Sequence, residues 1–548
     1  MDPNKKLNAQ AVREQVDRRI AELESEIRAL KTHRNTVAAT SQLPPEILSN
    51  IFNVLGRVMG DGYSKPSWTR VNQVCRHWRA VALDCPALWS DLMFVGGNPA
   101  FTEVMLQRSK NAPLSVKFDA YSPPFNDILC KIVSQTSRLR DVELRQGSNT
   151  TPLDLPKILS SFESTAPILE KLVLEGVELD NWTRSDKYHT IPANFLQDGA
   201  PSLQHLDITR LAIHWDALPI SITLTHLQLE NVETRPTRKA FSESLAKLLR
   251  LETIKLSACL PHSGGASQPD SLPVILPSLR TLELQDLTAE LRQFFSMTQI
   301  PEEARVHIKL CDRNPESESP GSLFSALRAS WILPKDMVVE AAGDSAQPSI
   351  LDLRIVDASR IKCWFSNHDL PPNFDVENPP ASLVVSRGSP SIGIHLLLKA
   401  IAEHLDLSSL QSLKFDYFPL TKQTLALFKD LTKLDKIAIW NSHSTLSKFL
   451  GILEKKKGHA LSFPSMRTIE LRGIDFDEDP IGGSSTAVRA LAAALKNLRK
   501  SHPTIERFTM TQCVNFLEKH WEALCKALPD EVKVYWDEVE LCVAHSGW

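Results

Sequence analysis

LEKLVL, residues 169–174, is the stretch on which the fold turns. Apolar residues stand at its first, fourth and sixth positions. The period-two geometry of a strand sends Leu172 and Leu174 to one side and Lys171, Val173 and Glu175 to the other. Outward from it, the same frame recurs as LRDVEL from Leu139, LQHLDI from Leu203, LTHLQL from Leu224, LETIKL from Leu251 and LRTLEL from Leu279. The starts lie 21 to 34 residues apart, the spacing of units that each contribute one strand and one returning helix or loop. After residue 290 the frame weakens. It returns as LQSLKF from Leu410, LDKIAI from Leu434, MRTIEL from Met466 and IERFTM from Ile505, and closes near EVKVYWDEV at 531–539.

Between these blocks lie helix candidates such as SESLAKLLR (242–250) and the amphipathic TAVRALAAALKNLRK (486–500). Strand plus helix per unit gives an α/β chain, an irregular leucine-rich-repeat-like solenoid with a continuous parallel sheet; the period is too uneven for a regular short-repeat horseshoe. On its open face the positions equivalent to Lys171, Val173 and Glu175 are His205, Asp207 and Thr209, then His226, Gln228 and Glu230, then Thr281, Glu283 and Gln285. Such a face is a platform for a protein target; the alternative is an ordinary solvated face with contacts made by loops. Segments rich in Gly, Ser, Pro and Asp at 261–273, 312–322, 341–349, 369–381 and 475–485 are expected to project from the scaffold. The stretch 290–400 is the least assignable.

The N-terminus reads differently. From residue 8 to 38 there is no Gly or Pro, and Val16, Ile20, Leu23, Ile27 and Leu30 alternate steps of four and three, a heptad seam. Glu24 precedes Arg28 by four, the favourable order for a helical ion pair. The seam fails at Arg34, after about three heptads, so it fits either self-association or a single solvated helix. SQLPPEILSNIFNVL (41–55) then starts a helix: Pro44 and Pro45 sit where a missing N–H costs nothing, Glu46 faces the positive end of the dipole, and Ile47, Leu48, Ile51, Phe52 and Leu55 form one apolar stripe. After a loop with Gly60, Gly62 and Pro66, WTRVNQVCRHWRAVALDCPALWSDL (68–92) predicts a second helix, with Val71, Val74, Cys75, Trp78, Val81 and Ala82 on one side, stopped near Pro86 and with Trp89 folding back.

The ordered set LPPEILSNIF, VCRHWR and LW resembles the F-box, in the F-box-like form found in mushroom-forming fungi, as does LQRSKNAPLSVKF at 106–118. The resemblance covers roughly residues 1–118. It implies a small helical domain that docks a Skp-type adaptor, and through it a cullin, using Leu43, Pro44, Ile47, Leu48, Ile51, Phe52, Val74, Cys75 and Trp78. The same residues could also be the core of a private helical hairpin, and Cys75 and Trp78 in particular could pack inside. The loop at 56–68 is longer than in a compact F-box. The division expected is therefore 1–40 for the heptad helix, 41–95 for the F-box-like domain and 96–548 for the target-binding body.

Composition excludes other classes. At 548 residues with 42% hydrophobic content the chain can bury a large core, and a net charge of -3 gives no overall basic field for nucleic acid or an anionic membrane. The nine cysteines include no C-x-x-C pair, which fits a reducing compartment, cytosol or nucleus; no apolar run reaches the roughly 20 residues of a membrane span. No phosphate loop, H-E-x-x-H, G-x-S-x-G or G-x-G-x-x-G occurs. Cys75 and His77, two apart on a helix, point in different directions, and His395 and His404 lack metal-ligand spacing. EKKKGH from Glu454 reads as a solvated helix end, and DFDEDP from Asp475 as an acidic loop without EF-hand spacing. No enzyme activity, cofactor or metal is expected.

Overall fold

The computed structural model describes residues 3–58, 67–93, 99–118, 126–146, 153–177, 188–232, 235–264, 272–313, 319–332, 349–357, 359–365, 380–388, 393–418, 421–453, 463–476, 488–493, 495–496, 505–528 and 532–541. Every apolar-x-x-apolar-x-apolar block named above forms one short strand. The chain divides into two compact units, Met1–Leu224 and Thr225–Trp548.

The first unit opens with α1 (Pro3–Thr36), α2 (Pro45–Val58), α3 (Val71–Val74) and α4 (Arg76–Leu83). Its strands are β1 (Asp91–Met93), β2 (Leu114–Phe118), β3 (Leu139–Arg145), β4 (Lys171–Glu175) and β5 (His205–Thr209), each parallel to the next. Returning helices at Pro99–Arg108, Asn126–Val133 and Leu155–Ser160 supply the crossovers that parallel strands require. Leu172, Leu174, Leu206 and Ile208 are fully buried, as the alternation demands. Removing each such side chain from water stabilises by about 1.5–3 kcal/mol.

In the second unit β6 (His226–Glu230), β7 (Thr253–Ser257), β8 (Thr281–Asp286) and β9 (Arg305–Leu310) continue the same rule. The stretch that resisted the frame holds β10 (Ile350–Val356), β11 (Arg360–Phe365) and β12 (Leu383–Arg387), after which β13 (Ser412–Asp416), β14 (Lys436–Trp440), β15 (Thr468–Arg472), β16 (Arg507–Thr511) and β17 (Lys533–Trp536) resume it. Here the order runs β9, β12, β11, β10, β13, so three strands enter in reverse, and β11 is antiparallel to both neighbours. All other pairings of this ladder are parallel.

One local device recurs at the strand ends. The residue after a strand donates its N–H to a carbonyl at the end of the next one, as Asn231 does to Ser257 (3.0 Å), Ala258 to Gln285 (2.8 Å), Tyr417 to Trp440 (3.1 Å) and Asn441 to Arg472 (2.8 Å). Those four donors sit in the left-handed region, φ 49 to 54°, so the chain gains one extra rung and then turns out of the sheet. The corresponding donor in the first unit, Gly176 to Thr209, has no room for a side chain: a Cβ there would lie 2.4 Å from the backbone oxygen of Arg210. Gly176→Ala is expected to destabilise by about 1–3 kcal/mol through overpacking, seen as a lower denaturation midpoint.

The second unit also contains a buried ion pair. Arg235 Nη1 and Nη2 donate to the two Asp286 oxygens at 3.0 and 2.8 Å, and the same carboxylate accepts the N–H groups of Leu260 (3.2 Å) and Leu287 (3.0 Å). Arg235 Nη1 also reaches the Leu260 carbonyl at 2.9 Å. This clamp ties the ends of neighbouring repeats.

Two expectations need correction. The segment 68–92 is not one helix: a 3-10 turn, Ser67–Arg70, leads into α3, Cys75 is extended (φ -156°, ψ 172°), and α4 starts afresh. Helical periodicity does not register such a break, because it leaves the apolar spacing unchanged. The ladder of the second unit is also not wholly parallel, since ILDLRIV and RIKCWF form an antiparallel pair. The Gly60–Pro66 loop, EKKKGH, most of DFDEDP, most of the expected projecting segments 261–273, 341–349, 369–381 and 475–485, and residues 314–318 of the segment 312–322 lie outside the described residues.

Candidate adaptor-docking face and sheet faces

On the sheet of the first unit, Lys171, Glu175 and His205 are half-exposed, whereas Val173, Asp207 and Thr209 are closed from solvent. The alternation is as read from LEKLVL, yet these three outward positions are buried, and the Thr209 hydroxyl donates to Asp207 Oδ1 at 3.1 Å. Register places Val173 between Glu143 and Asp207, and Thr209 beside Glu175. Lys171 pairs with Glu143, and Glu175 is shared by Arg145 (3.4 Å) and Arg210. Burial alone would raise the Glu143 carboxyl, but the Lys171 hydrogen bond and charge outweigh it and hold it below the usual range. In the second unit His226, Gln228, Glu230, Thr281, Glu283 and Gln285 all reach the open face, and Lys255 pairs with Glu283 at 3.1 Å.

Further along that unit the face becomes cationic. Register sets Lys362, Arg354 and Lys414 side by side on β11, β10 and β13, with Ala438 next on β14. Trp440 lies beside them. Lys414 Nζ is 3.4 Å from its ring centroid, Arg472 Cζ 4.7 Å and Arg354 Cζ 5.0 Å, all within cation–π range. Arg354 pairs with Asp416, which also accepts from Asn441 Nδ2 at 2.9 Å. Glu470 accepts from Lys436 Nζ (2.7 Å) and Trp440 Nε1 (3.0 Å). Burial, then the charge of Arg354, pushes Lys414 down to about 8 and lowers Lys362 as well.

No catalytic arrangement emerges among the described residues. Burial pushes the thiols of Cys259, Cys363 and Cys513 up to about 12, so they stay protonated. Among the described residues no group of three or more His, Cys, Asp or Glu side chains is placed to hold a metal ion. A groove of about 610 Å³ at the strand ends, with Tyr417, Asn441, Asp475, Gln512 and Asp537 in its wall, contains no nucleophile–base pair. His395 Nδ1 contacts the Thr424 hydroxyl at 3.3 Å, and the His404 backbone carbonyl accepts from Arg328 at 3.3 Å. No helix among the described residues is long and apolar enough to cross a membrane.

The helical region splits its apolar residues between two faces. The Pro44 carbonyl accepts from the N–H groups of Ile47 (3.0 Å) and Leu48 (3.1 Å), so α2 begins with Pro45 in its first turn. Leu48 (1% exposed) and Phe52 (0%) point inward, and the Phe52 ring lies 5.2 Å from Trp78 on α4. Cys75 caps α4, its sulfur accepting the Trp78 N–H at 3.4 Å, and Arg79 Nε donates to the Asn72 carbonyl of α3 at 2.7 Å. Trp89 is buried, donating Nε1–H to the Ala82 carbonyl at 2.7 Å with Trp68 against its ring edge. The outer face carries Ile47 (46% exposed), Ile51 (40%) and Val54 (58%), and Val74 (58%) is exposed on α3.

Residues 40–95 match the family described as F-box-like. No curated protein matches the chain. Among solved structures, the crystal structure of a TLR13–ssRNA13 complex is similar at 10% identity and a TM-score of 0.29, covering 83% of this chain and 55% of that one. The chain thus spans about half the length of that structure.

Within the F-box-like domain, the nine residues expected to meet an adaptor separate by position. Pro44, Ile47, Ile51 and Val74 are exposed, Leu43, Cys75 and Trp78 half-buried, and Leu48 and Phe52 sealed in the interior. Val54 belongs with the exposed set and was not read from sequence, although its place three after Ile51 and seven after Ile47 puts it on the same helical face. Lys362, Lys414 and Trp440 were likewise missed. The last two stand at open-face positions of LQSLKF and LDKIAI(W), so their frame was legible; Lys362 falls in the stretch without one.

Proposed function

We propose that this chain is the target-recognition subunit of a Skp/cullin/F-box ubiquitin ligase, of the fungal F-box-like type, at work in the cytosol or nucleus. The observation that carries it is the exposed apolar strip Ile47, Ile51 and Val54 inside the matched F-box-like domain. A small helical domain that seals Leu48, Phe52 and Trp89 yet leaves three large aliphatic side chains in water has kept an interface free. Residues 1–40 form the helical arm, 41–95 dock the adaptor and 96–548 hold a protein target. The chain does no chemistry itself; it raises the effective concentration of target at the ligase core. With the chain immobilised, cullin is expected to be retained only when the Skp-type adaptor is also present. Retention of cullin without the adaptor, or no retention with it, contradicts the reading; in the second case a non-ligase repeat scaffold remains.

Self-association through residues 8–38 belongs to the same proposal. Val16, Ile20, Leu23, Ile27 and Leu30 all stand exposed on α1. Ile20 and Ile27 take the first seam position and Leu23 and Leu30 the second, the combination that favours a parallel two-stranded pair. In that register Arg19 meets Glu24 of the second copy and Glu26 meets Lys31. Light scattering is expected to give a dimeric mass for the full chain and a monomeric one for Leu23→Asp with Ile27→Asp.

A further inference from the structure

We propose that the row Lys362–Arg354–Lys414, beside Trp440, is a docking site for an acidic, Asp/Glu-rich peptide segment of the target. This rests on the target-binding half of the function proposed above but names a surface and a chemistry of its own. Three cationic side chains stand on three neighbouring strands, and register puts no carboxylate among them. Around them lie Arg360, Lys436 and Arg472, and four carboxylates: Asp352, Asp357, Asp416 and Glu470. Three of the four are already engaged, Asp357 by Arg360 (3.3 Å), Asp416 by Arg354 and Glu470 by Lys436 (2.7 Å). Lys362 and Lys414 form no ion pair among the described residues.

That arrangement is costly without a ligand. Like charges one strand spacing apart, about 4.8 Å, repel, and partial burial strips water from two of them. The Trp440 ring face offsets some of this for Lys414 but carries no net charge. Elsewhere on the same face Lys255 is matched by Glu283. Ala438, the neighbour of Lys414 on β14, adds no bulk that would cover the ammonium group. The site is an open face and not an enclosed cavity, and its row runs across strands. A polymer carrying several carboxylates can therefore bridge the cations, whereas a small anion would be held at one point only.

Charge sets two signatures. The groups facing Lys414 are Arg354 and Lys436, which depress it, and Glu470 and Asp416, which support it. A bound carboxylate favours the protonated amine, so affinity is expected to hold below about pH 8 and fall above it. It is also expected to fall with added salt, since part of the site is solvent-exposed.

The test uses the full chain, a fluorescent decapeptide of alternating Glu and Ser, and the same peptide with Gln for Glu. Anisotropy should show binding of the acidic peptide and none of the neutral one. Lys362→Gln with Lys414→Gln should weaken binding at least tenfold, and Lys255→Gln on the matched part of the face should leave it unchanged. No binding of the acidic peptide, equal binding of both peptides, or no loss in the double variant overturns the proposal. So does preference for a single-stranded oligonucleotide over the peptide. None of these outcomes bears on adaptor docking, which is measured without the peptide.

Discussion

Ile51→Asp with Val54→Asp is expected to abolish co-purification with a Skp-type adaptor while leaving the chain folded. Both side chains point to solvent from α2, at 40% and 58% exposure, so carboxylates there stay hydrated and the fold changes by about 0.5 kcal/mol or less. In a complex the same carboxylates would be stripped of water against an apolar partner. A loss of at least about 100-fold in affinity, near 2.7 kcal/mol, is expected. Leu48→Asp is the instructive contrast. Leu48 lies one position from Ile47 but is 1% exposed, so the charge would enter the core beside Phe52. That variant should lose helicity and adaptor binding together, whereas the outward pair should lose binding alone. Circular dichroism beside the binding measurement separates the two. If the outward pair also unfolded the domain, the strip would be core and the docking face would have to lie elsewhere.

Asp286→Ala is expected to cost about 3–5 kcal/mol of stability. The substitution leaves the Arg235 guanidinium without its carboxylate and two backbone N–H groups, those of Leu260 and Leu287, without an acceptor. Arg235 then keeps the Leu260 carbonyl as an acceptor but no counter-charge at that site. Asp286→Asn should be milder, because an amide oxygen still accepts hydrogen bonds though it no longer balances the charge. Chemical denaturation gives the comparison: the midpoint should fall furthest for Ala and less for Asn. Because Asp286 ends β8, which carries Glu283 and Gln285 on the open face, the Ala variant should also loosen that part of the target surface.

Much of this was legible because a strand of five residues flanked by fixed apolar positions has few alternatives. LEKLVL and its relatives gave both the strand and its inward face, since Leu172 and Leu174 obey a period of two that no helix would match. The reversal at β10–β12 was not legible: strand direction depends on which neighbour a segment meets, and ILDLRIV pairs equally well either way by pattern. The break at Cys75 was hidden for another reason. One extended residue preserves the apolar spacing of the flanking turns, and a thiol serving as helix cap is outside the usual capping set of Ser, Thr, Asp and Asn. Burial of Val173, Asp207 and Thr209 was not legible either, because it depends on which residues register sets beside them on adjacent strands, and alternation alone does not carry register. In the F-box-like domain the stripe on α2 was visible, but not how it divides. Leu48 and Phe52 turn to α4, and Ile47, Ile51 and Val54 turn away, because the stripe is wider than the face α4 can cover.

The most direct measurement is co-expression of the full chain with the Skp-type adaptor of the same organism, followed by size exclusion with light scattering. One adaptor per chain, co-eluting at the mass of two chains and two adaptors, is the predicted result, with the complex lost in Ile51→Asp plus Val54→Asp. Two folded proteins that elute separately would contradict the account.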